Sequence, residues 1–200
     1  MEVLSFLHQK GGTGKSTLAI ASALWLAGAG RRVILLDTDY QGTSSEWGNR
    51  FAERFGVETR SQVQPIVHRE LERFRGSAEW VVIDGPPSLS EMSQSVVRSG
   101  GRVVLPVRPA LPDVWALAWI AAIIGKLARE GAAASPLVVF NQVRDEPLAP
   151  LRKQIEALGL PVHPRPIPAD AGFVALFAGE PLPEHLRGIV GELVQASAGA

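Results

Sequence analysis

The string Gln9-Lys10-Gly11-Gly12-Thr13-Gly14-Lys15-Ser16-Thr17 constrains this chain more than any other segment. It follows the apolar run Val3-Leu4-Ser5-Phe6-Leu7, which reads as a strand, and it opens a helical pattern from about Lys15 to Ala29. Without Cβ atoms, Gly11, Gly12 and Gly14 let successive backbone N–H groups turn toward one point and form an anion-binding concavity. The start of the helix adds unpaired donors and the positive end of its dipole. Lys15 supplies a mobile positive charge for β- and γ-phosphates, the Ser16 hydroxyl is placed to ligate Mg²⁺, and Thr17 to donate to an α-phosphate. The plain alternative is a glycine-rich turn with two solvated lysines. Against it, the chain has four lysines to sixteen arginines, and two of the four stand here, where a compact ammonium suits phosphate. The common G-x-x-x-x-G-K-[ST] string is not met, because Gln9 holds its first position. What stands is K-G-G-x-G-K-[ST], with Lys10 as an additional cation.

Short apolar runs alternate with helical patterns through the rest of the chain. Val33–Leu36, Trp80–Ile83 ending in Asp84, Val103–Leu105 ending in Pro106, and Leu137–Phe140 ending in Asn141 read as strands. Continuous β-branched runs of this kind suit strands buried on both faces. Helices between them imply crossovers, so the fold class is α/β, a mostly parallel twisted sheet with helices on both faces. The proline-rich stretch from Leu160 to Pro168 reads as a last strand and a rigid loop. Residues 1–195 form one expected domain, and 196–200 an expected frayed tail. Trp115 and Trp119, four apart on a helix over Pro112–Arg129, read as a packing stripe, and Trp47 as a core residue, with a place near a dimer or partner surface as the alternative.

Composition narrows the chemistry. Twenty basic and twenty acidic side chains cancel, so polyanion binding must come from a local patch. Residues 60–129 carry nine basic against six acidic groups, which makes Arg98 with Arg102, and Arg69 with Arg73 and Arg75, the candidate patches; solvated arginines are the ordinary alternative. The absence of cysteine excludes disulfides, thiolate metal sites and iron–sulfur clusters, and the four histidines show no ligand spacing. No apolar stretch reaches the roughly 20 residues of a membrane helix, and the N-terminus reads as a strand rather than a signal peptide, so a cytoplasmic protein is expected.

Lys10–Thr17 resembles the deviant Walker A motif of the ParA/MinD family of P-loop ATPases. The likeness continues through Leu36-Asp37-Thr38-Asp39-Tyr40-Gln41-Gly42, Val82–Pro87, Leu105–Pro109 with Asp113 beyond, Ile167–Asp170 and Gly179–Leu182, and is strongest to the small ParA proteins of ParF type. Tyr40 stands where the family usually has proline, and Gly85 where it has a bulkier residue. Altered loop geometry rather than lost activity is expected from both. The resemblance implies ATP/ADP and Mg²⁺ as ligands. It implies that Lys10 reaches the nucleotide of a dimer partner, that Asp39 positions the attacking water, and that Asp37 and Asp84 act on Mg²⁺ through its water shell. It implies that Asn141 reads the adenine edge, with Pro168 and Asp170 completing the base pocket, although an Asn or Asp at a strand end is also an ordinary turn former or helix cap. By the same resemblance the ATP-bound homodimer binds DNA without sequence preference, associates with the nucleoid, and is released when a ParB-like or cargo-adaptor partner stimulates hydrolysis, so that a plasmid, chromosome or protein assembly is positioned. A membrane-cycling role like that of MinD is the alternative; it needs a basic amphipathic C-terminal anchor, whereas residues 185–194 read as a packed helix and no membrane is expected.

Overall fold

The computed structural model describes residues 1–88 and 90–196; of the expected tail, residues 197–200 lie outside the described residues. Six parallel strands form one sheet in the order β3-β2-β4-β1-β5-β6, with β1 at Glu2–Phe6, β2 at Val33–Asp37, β3 at Glu58–Ser61, β4 at Trp80–Asp84, β5 at Gly101–Val107 and β6 at Ala134–Phe140. Alternate residues of each run face opposite layers. Leu4, Phe6, Leu35, Val82, Val104 and Val139 pack under helices α1 (Lys15–Gly28), α2 (Thr43–Phe51), α7 (Ala171–Ala175) and α8 (Glu184–Gln195). Val3, Ile34, Val81, Val103, Leu105 and Val138 pack under α3 (Val67–Glu70), α4 (Glu91–Arg98), α5 (Leu111–Arg129) and α6 (Ala149–Ala157).

Strand order fixes where a ligand can sit. The chain leaves β1 through α1 toward β2 on one side, and leaves β5 through α5 toward β6 on the other. The crevice between β1 and β5 at their carboxyl ends is therefore the topological switch point, the usual ligand site of open α/β sheets. Parallel register brings Phe6, Asp37 and Asp84 to the same edge, and the glycine loop springs from β1 at that edge.

Four sequence expectations need correction. Strand β3 was not anticipated: Glu-Thr-Arg-Ser has no apolar run, because an edge strand with an ion pair between Glu58 and Arg60 needs none. The Leu160–Pro168 stretch forms no ladder with β6: it meets it at an isolated bridge between Val138 and Val162 and through the Ile167 N–H on the Phe140 carbonyl, and bridges Val143 beyond β6 at Pro168, since its prolines lack the N–H groups a ladder requires. Trp115 and Trp119 are 62% and 68% exposed, while Val114, Leu117, Ile120, Ile124 and Leu127 form the inward stripe of α5 one step round the helix. Helix α5 is also long and apolar enough by composition to cross a membrane; in this fold its inward face belongs to the core, and Asp113 near its start is ion-paired. Trp47 is buried as expected, and its indole N–H donates to the Leu176 carbonyl at 2.9 Å, tying α2 to the segment after α7.

Two residues at the site edge carry measurable consequences. A Cβ on Gly85 would lie 2.5 Å from the Phe6 carbonyl oxygen and 2.3 Å from Leu7 Cδ2, so the strand end after Asp84 has no room for a side chain. Gly85→Ala is expected to cost about 2 kcal/mol through overpacking, seen as a drop of roughly 4–8 °C in Tm. His8 is buried where β1 enters the loop; desolvation, then the charge of Lys15, push its pKa down to about 4. Unfolded histidine titrates near 6.5, so the unfolded chain takes up this proton first and the histidine removes stability as pH falls from about 6.5 to 4. His8→Asn, which keeps an acceptor for the Lys10 N–H, is expected to recover about 3 kcal/mol at pH 4 and nothing at pH 8, read from urea melts across that range.

Candidate functional site

The glycine loop is built as an anion cradle. Gly12 and Gly14 take left-handed conformations, φ 74° and 95°, which side chains rarely adopt. Gly14 is also the N-cap of α1 and offers no capping side chain, and no acidic residue occupies the first turn. The leading N–H groups of the helix are thus left to whatever the loop encloses. A Cβ on Gly11 or Gly12 would meet nothing within 4 Å, whereas one on Gly14 would strike Asn141 Nδ2 at 2.1 Å. The cradle is open on its outer side and closed where Asn141 backs it. Lys15 is buried, with its ammonium on the Lys10 carbonyl at 3.2 Å; burial lowers its pKa, while Asp84 and Asp39 oppose that shift.

The three strand-end carboxylates divide their work. Asp37 accepts from the Asp39 N–H at 3.0 Å through Oδ1 and from the Ser45 N–H at 2.6 Å through Oδ2, which makes it a backbone organiser of the β2–α2 turn. Burial raises its pKa against those bonds. Asp39 is half-buried and receives the Gln41 N–H, and Tyr40 beside it is 88% exposed. Asp84 is fully buried and accepts the Ser44 hydroxyl at 2.6 Å through Oδ2, while Oδ1 makes no hydrogen bond. Burial pushes its pKa up to about 7; the hydroxyls of Ser44 and Ser16 oppose this, with Asp37 adding to the rise and Lys15 reducing it. A buried carboxylate oxygen without a partner, close to the Ser16 hydroxyl and the Lys15 ammonium, fits a hydrated Mg²⁺ bound beside phosphate. Among the described residues no three His, Asp or Glu side chains cluster as a metal site of their own.

Lys10, at the mouth of the loop, donates to Asp113 Oδ1 at 2.8 Å, and the Arg108 guanidinium meets Asp113 Oδ2 at 2.5 Å. Asp113 is 2% exposed. Burial alone would raise its pKa, but the bonds from Arg108 and Lys10 outweigh it and hold the carboxyl below its ordinary range. The sequence flagged Asp113 only as part of a matching stretch, and its role as the anchor of Lys10 is visible only in three dimensions.

Beside the loop lies a cleft of about 530 Å³ lined by Gly14, Thr17, Asn141, Pro168, Asp170 and Phe173, among others. The expected base-side residues therefore converge on one space, yet two hold other bonds as well. Asn141 is buried and donates through Nδ2 to the Thr13 carbonyl at 2.8 Å. Asp170 caps α7 by accepting the Gly172 N–H at 2.7 Å and meets His185 at 3.0 Å; the Gly172 N–H, then His185, keep its pKa low. Of the candidate basic patches, Arg98 pairs with Glu130, Arg73 with Glu70 and Arg75 with Glu72. Arg102 donates to Ser135 and to the Ala196 carbonyl, so it fastens the C-cap of α8 to the sheet rather than standing free. Arg69 is exposed.

The CobQ/CobB/MinD/ParA nucleotide binding domain model matches residues 4–182. The chain is 38% identical over 115 residues to Maintenance of carboxysome distribution protein A of Gloeobacter kilaueensis, covering 56% of this chain and 51% of that protein. It is 30% identical over 164 residues to the chromosome-partitioning ATPase Soj of Thermus thermophilus, covering 66% and 64%. The match thus spans about half to just under two thirds of these relatives' lengths. The fold superposes on apo McdA of Cyanothece with a TM-score of 0.81 at 16% identity over all of both chains. A variant of that protein in complex with ATP gives 0.77 at 16% identity, over 98% of this chain and 95% of that one. With the family model covering most of the chain and the cradle standing at the switch point of a six-stranded parallel sheet, this protein belongs to the CobQ/CobB/MinD/ParA family of nucleotide-binding domains.

Proposed function

We propose that the chain is an Mg²⁺-dependent ATPase of ParA type, which dimerises on ATP, binds DNA without sequence preference and positions a cargo through partner-stimulated hydrolysis. The observation that carries this reading is the second lysine: Lys10 stands at the loop mouth, half-exposed, on a carboxylate it shares with Arg108. An ordinary phosphate loop needs only Lys15. In this reading Lys15 and the N–H groups of Gly12–Thr17 grip the phosphates of their own chain's nucleotide, and Lys10 leaves Asp113 for the phosphates held by a second copy. Arg108 stays on Asp113 when Lys10 departs, so the buried carboxylate is never left unpaired.

Ser16 and Asp84 would hold Mg²⁺, Asp37 shaping the turn beside it. The ion supplies charge neutralisation across the β- and γ-phosphates. Asp39, half-buried at the mouth of the same edge, orients the attacking water and takes up its proton. Pro168 and Asn141 bound the space for the base. The names of the relatives, one a carboxysome-distribution protein and one a chromosome-partitioning ATPase, support cargo positioning as the purpose of the cycle. Arg69, with Arg73 and Arg75, is the leading DNA patch, because all three guanidinium groups are exposed and a surface ion pair such as Arg75 with Glu72 costs little to break. Two copies double that patch, which reconciles DNA binding with zero net charge.

Lys10→Ala is expected to bind ATP yet sediment as a monomer, with phosphate release lowered at least about 100-fold. Asp39→Ala is expected to bind ATP, accumulate as a dimer and release no phosphate. An ATP-dependent dimer of Lys10→Ala with wild-type turnover contradicts the assignment. Retention of duplex DNA is expected only with ATP and is expected to collapse as salt rises from about 50 to 200 mM; salt-insensitive or nucleotide-independent retention contradicts the DNA reading.

A further inference from the structure

The segment after β6 does more than wall the cleft. Asn141 Nδ2 donates to the Thr13 carbonyl at 2.8 Å, and Gln142 Nε2 donates to the Gly12 carbonyl at 3.0 Å, across some 130 residues of chain. Two consecutive amide side chains therefore hold two consecutive carbonyls of the glycine loop. In a regular strand they would point to opposite faces. They converge because Gln142 adopts φ 60°, the one positive φ at a non-glycine residue among those described. That conformation is costly for glutamine, and strain of this kind persists where it serves a ligand site. Val143 then returns to ordinary pairing, donating to the Ile167 carbonyl and accepting from the Ala169 N–H, so the clamp is continuous with the Pro168 wall.

The consequence for the loop follows from peptide geometry. Every peptide bond described is trans, and in a trans unit the C=O and the next N–H point in opposite directions. Holding the Gly12 and Thr13 carbonyls toward β6 turns the Thr13 and Gly14 N–H groups away from it. Neither of those N–H groups has a protein acceptor among the described residues. Gln142 also stands between two clefts, lining both the one beside Thr17 and Asp170 and the one that holds Lys10 and Asp113.

We propose that Gln142 is a positioning residue for the phosphate loop: its left-handed backbone and its side-chain amide, together with Asn141, preset the loop so that the Thr13 and Gly14 N–H groups meet phosphate without reorganisation. This rests on the nucleotide reading above and deepens it, since it assigns a residue to which that reading gives no task. A merely structural residue would lose stability and affinity together. A strained positioning residue separates them.

The test pairs two variants with ligand-free melting, titration with ADP and Mg²⁺, and amide ¹H–¹⁵N spectra. Gln142→Gly relieves the backbone and deletes the amide, so its ligand-free Tm is expected to equal or exceed the wild type's while the Kd for ADP rises about three- to tenfold, the loss of one hydrogen bond. Gln142→Glu keeps the strained backbone but offers an acceptor to a carbonyl, and a Kd raised at least as far is expected. In both, the Thr13 and Gly14 amide resonances of the ligand-free protein are expected to move from their wild-type positions and broaden as the loop loses its fixed orientation. Wild-type ADP affinity in Gln142→Gly, or a loss of affinity that merely tracks a lower Tm, overturns the proposal. If the wild type itself fails to bind ADP, the nucleotide reading falls, while unchanged Thr13 and Gly14 amide resonances in ligand-free Gln142→Gly would separately show that no clamp exists.

Discussion

Everything at this site depends on which way a few peptide groups point. A helix that begins with a left-handed glycine and no capping side chain leaves its first N–H groups without acceptors, and such a start is tolerable only at the surface or against an anion. The glycine loop gathers those donors with its own, and the sheet places them at the switch point between β1 and β5. Asn141 and Gln142 anchor the loop from behind by its carbonyls. The cradle is thus a property of the fold as a whole: β6 ends one strand beyond β5 from β1, and the two residues that follow it reach the loop after β1 and orient backbone dipoles some 130 residues earlier. Preset dipoles of this kind are worth more than flexible ones, because no reorganisation is required when charge arrives.

Charge is arranged around the cradle in two layers. Lys15 and Asp84 lie inside, both desolvated, the lysine's pKa lowered and the carboxylate's pushed up to about 7, and a phosphate and a divalent cation would favour the charged form of each. Lys10, Arg108 and Asp113 lie at the rim, where the carboxylate stays ionised because two cations hold it. In the proposed function the inner layer binds the nucleotide and the outer layer has a cation to spare for a second copy.

Much of this was legible in the sequence, for a physical reason. Strands buried on both faces must be continuously apolar, so five of the six announced themselves, and the glycine loop was readable because few other tasks demand glycine at those positions. What escaped reading lacks such a requirement. Edge strand β3 needs no apolar residues, and the prolines of 160–168 disguise a segment that only bridges. Trp115 and Trp119 have helical spacing but lie on the outer face of α5, a choice set by one step of helix rotation that spacing alone does not report. Asp113 and Gln142 work through partners about 100 and 130 residues away, and Gln142 acts through a backbone angle no composition rule predicts. The Asn-Gln pair directly after a buried strand was the available signal. It was read for its first member only.

The loop N–H groups are the proposed phosphate ligands, and amide chemical shifts of the ¹⁵N-labelled chain during titration with ADP and Mg²⁺ report on each of them separately. The largest displacements are expected on Gly12 through Thr17, saturating at one nucleotide per chain. Saturable binding that leaves those amides unmoved would contradict that assignment.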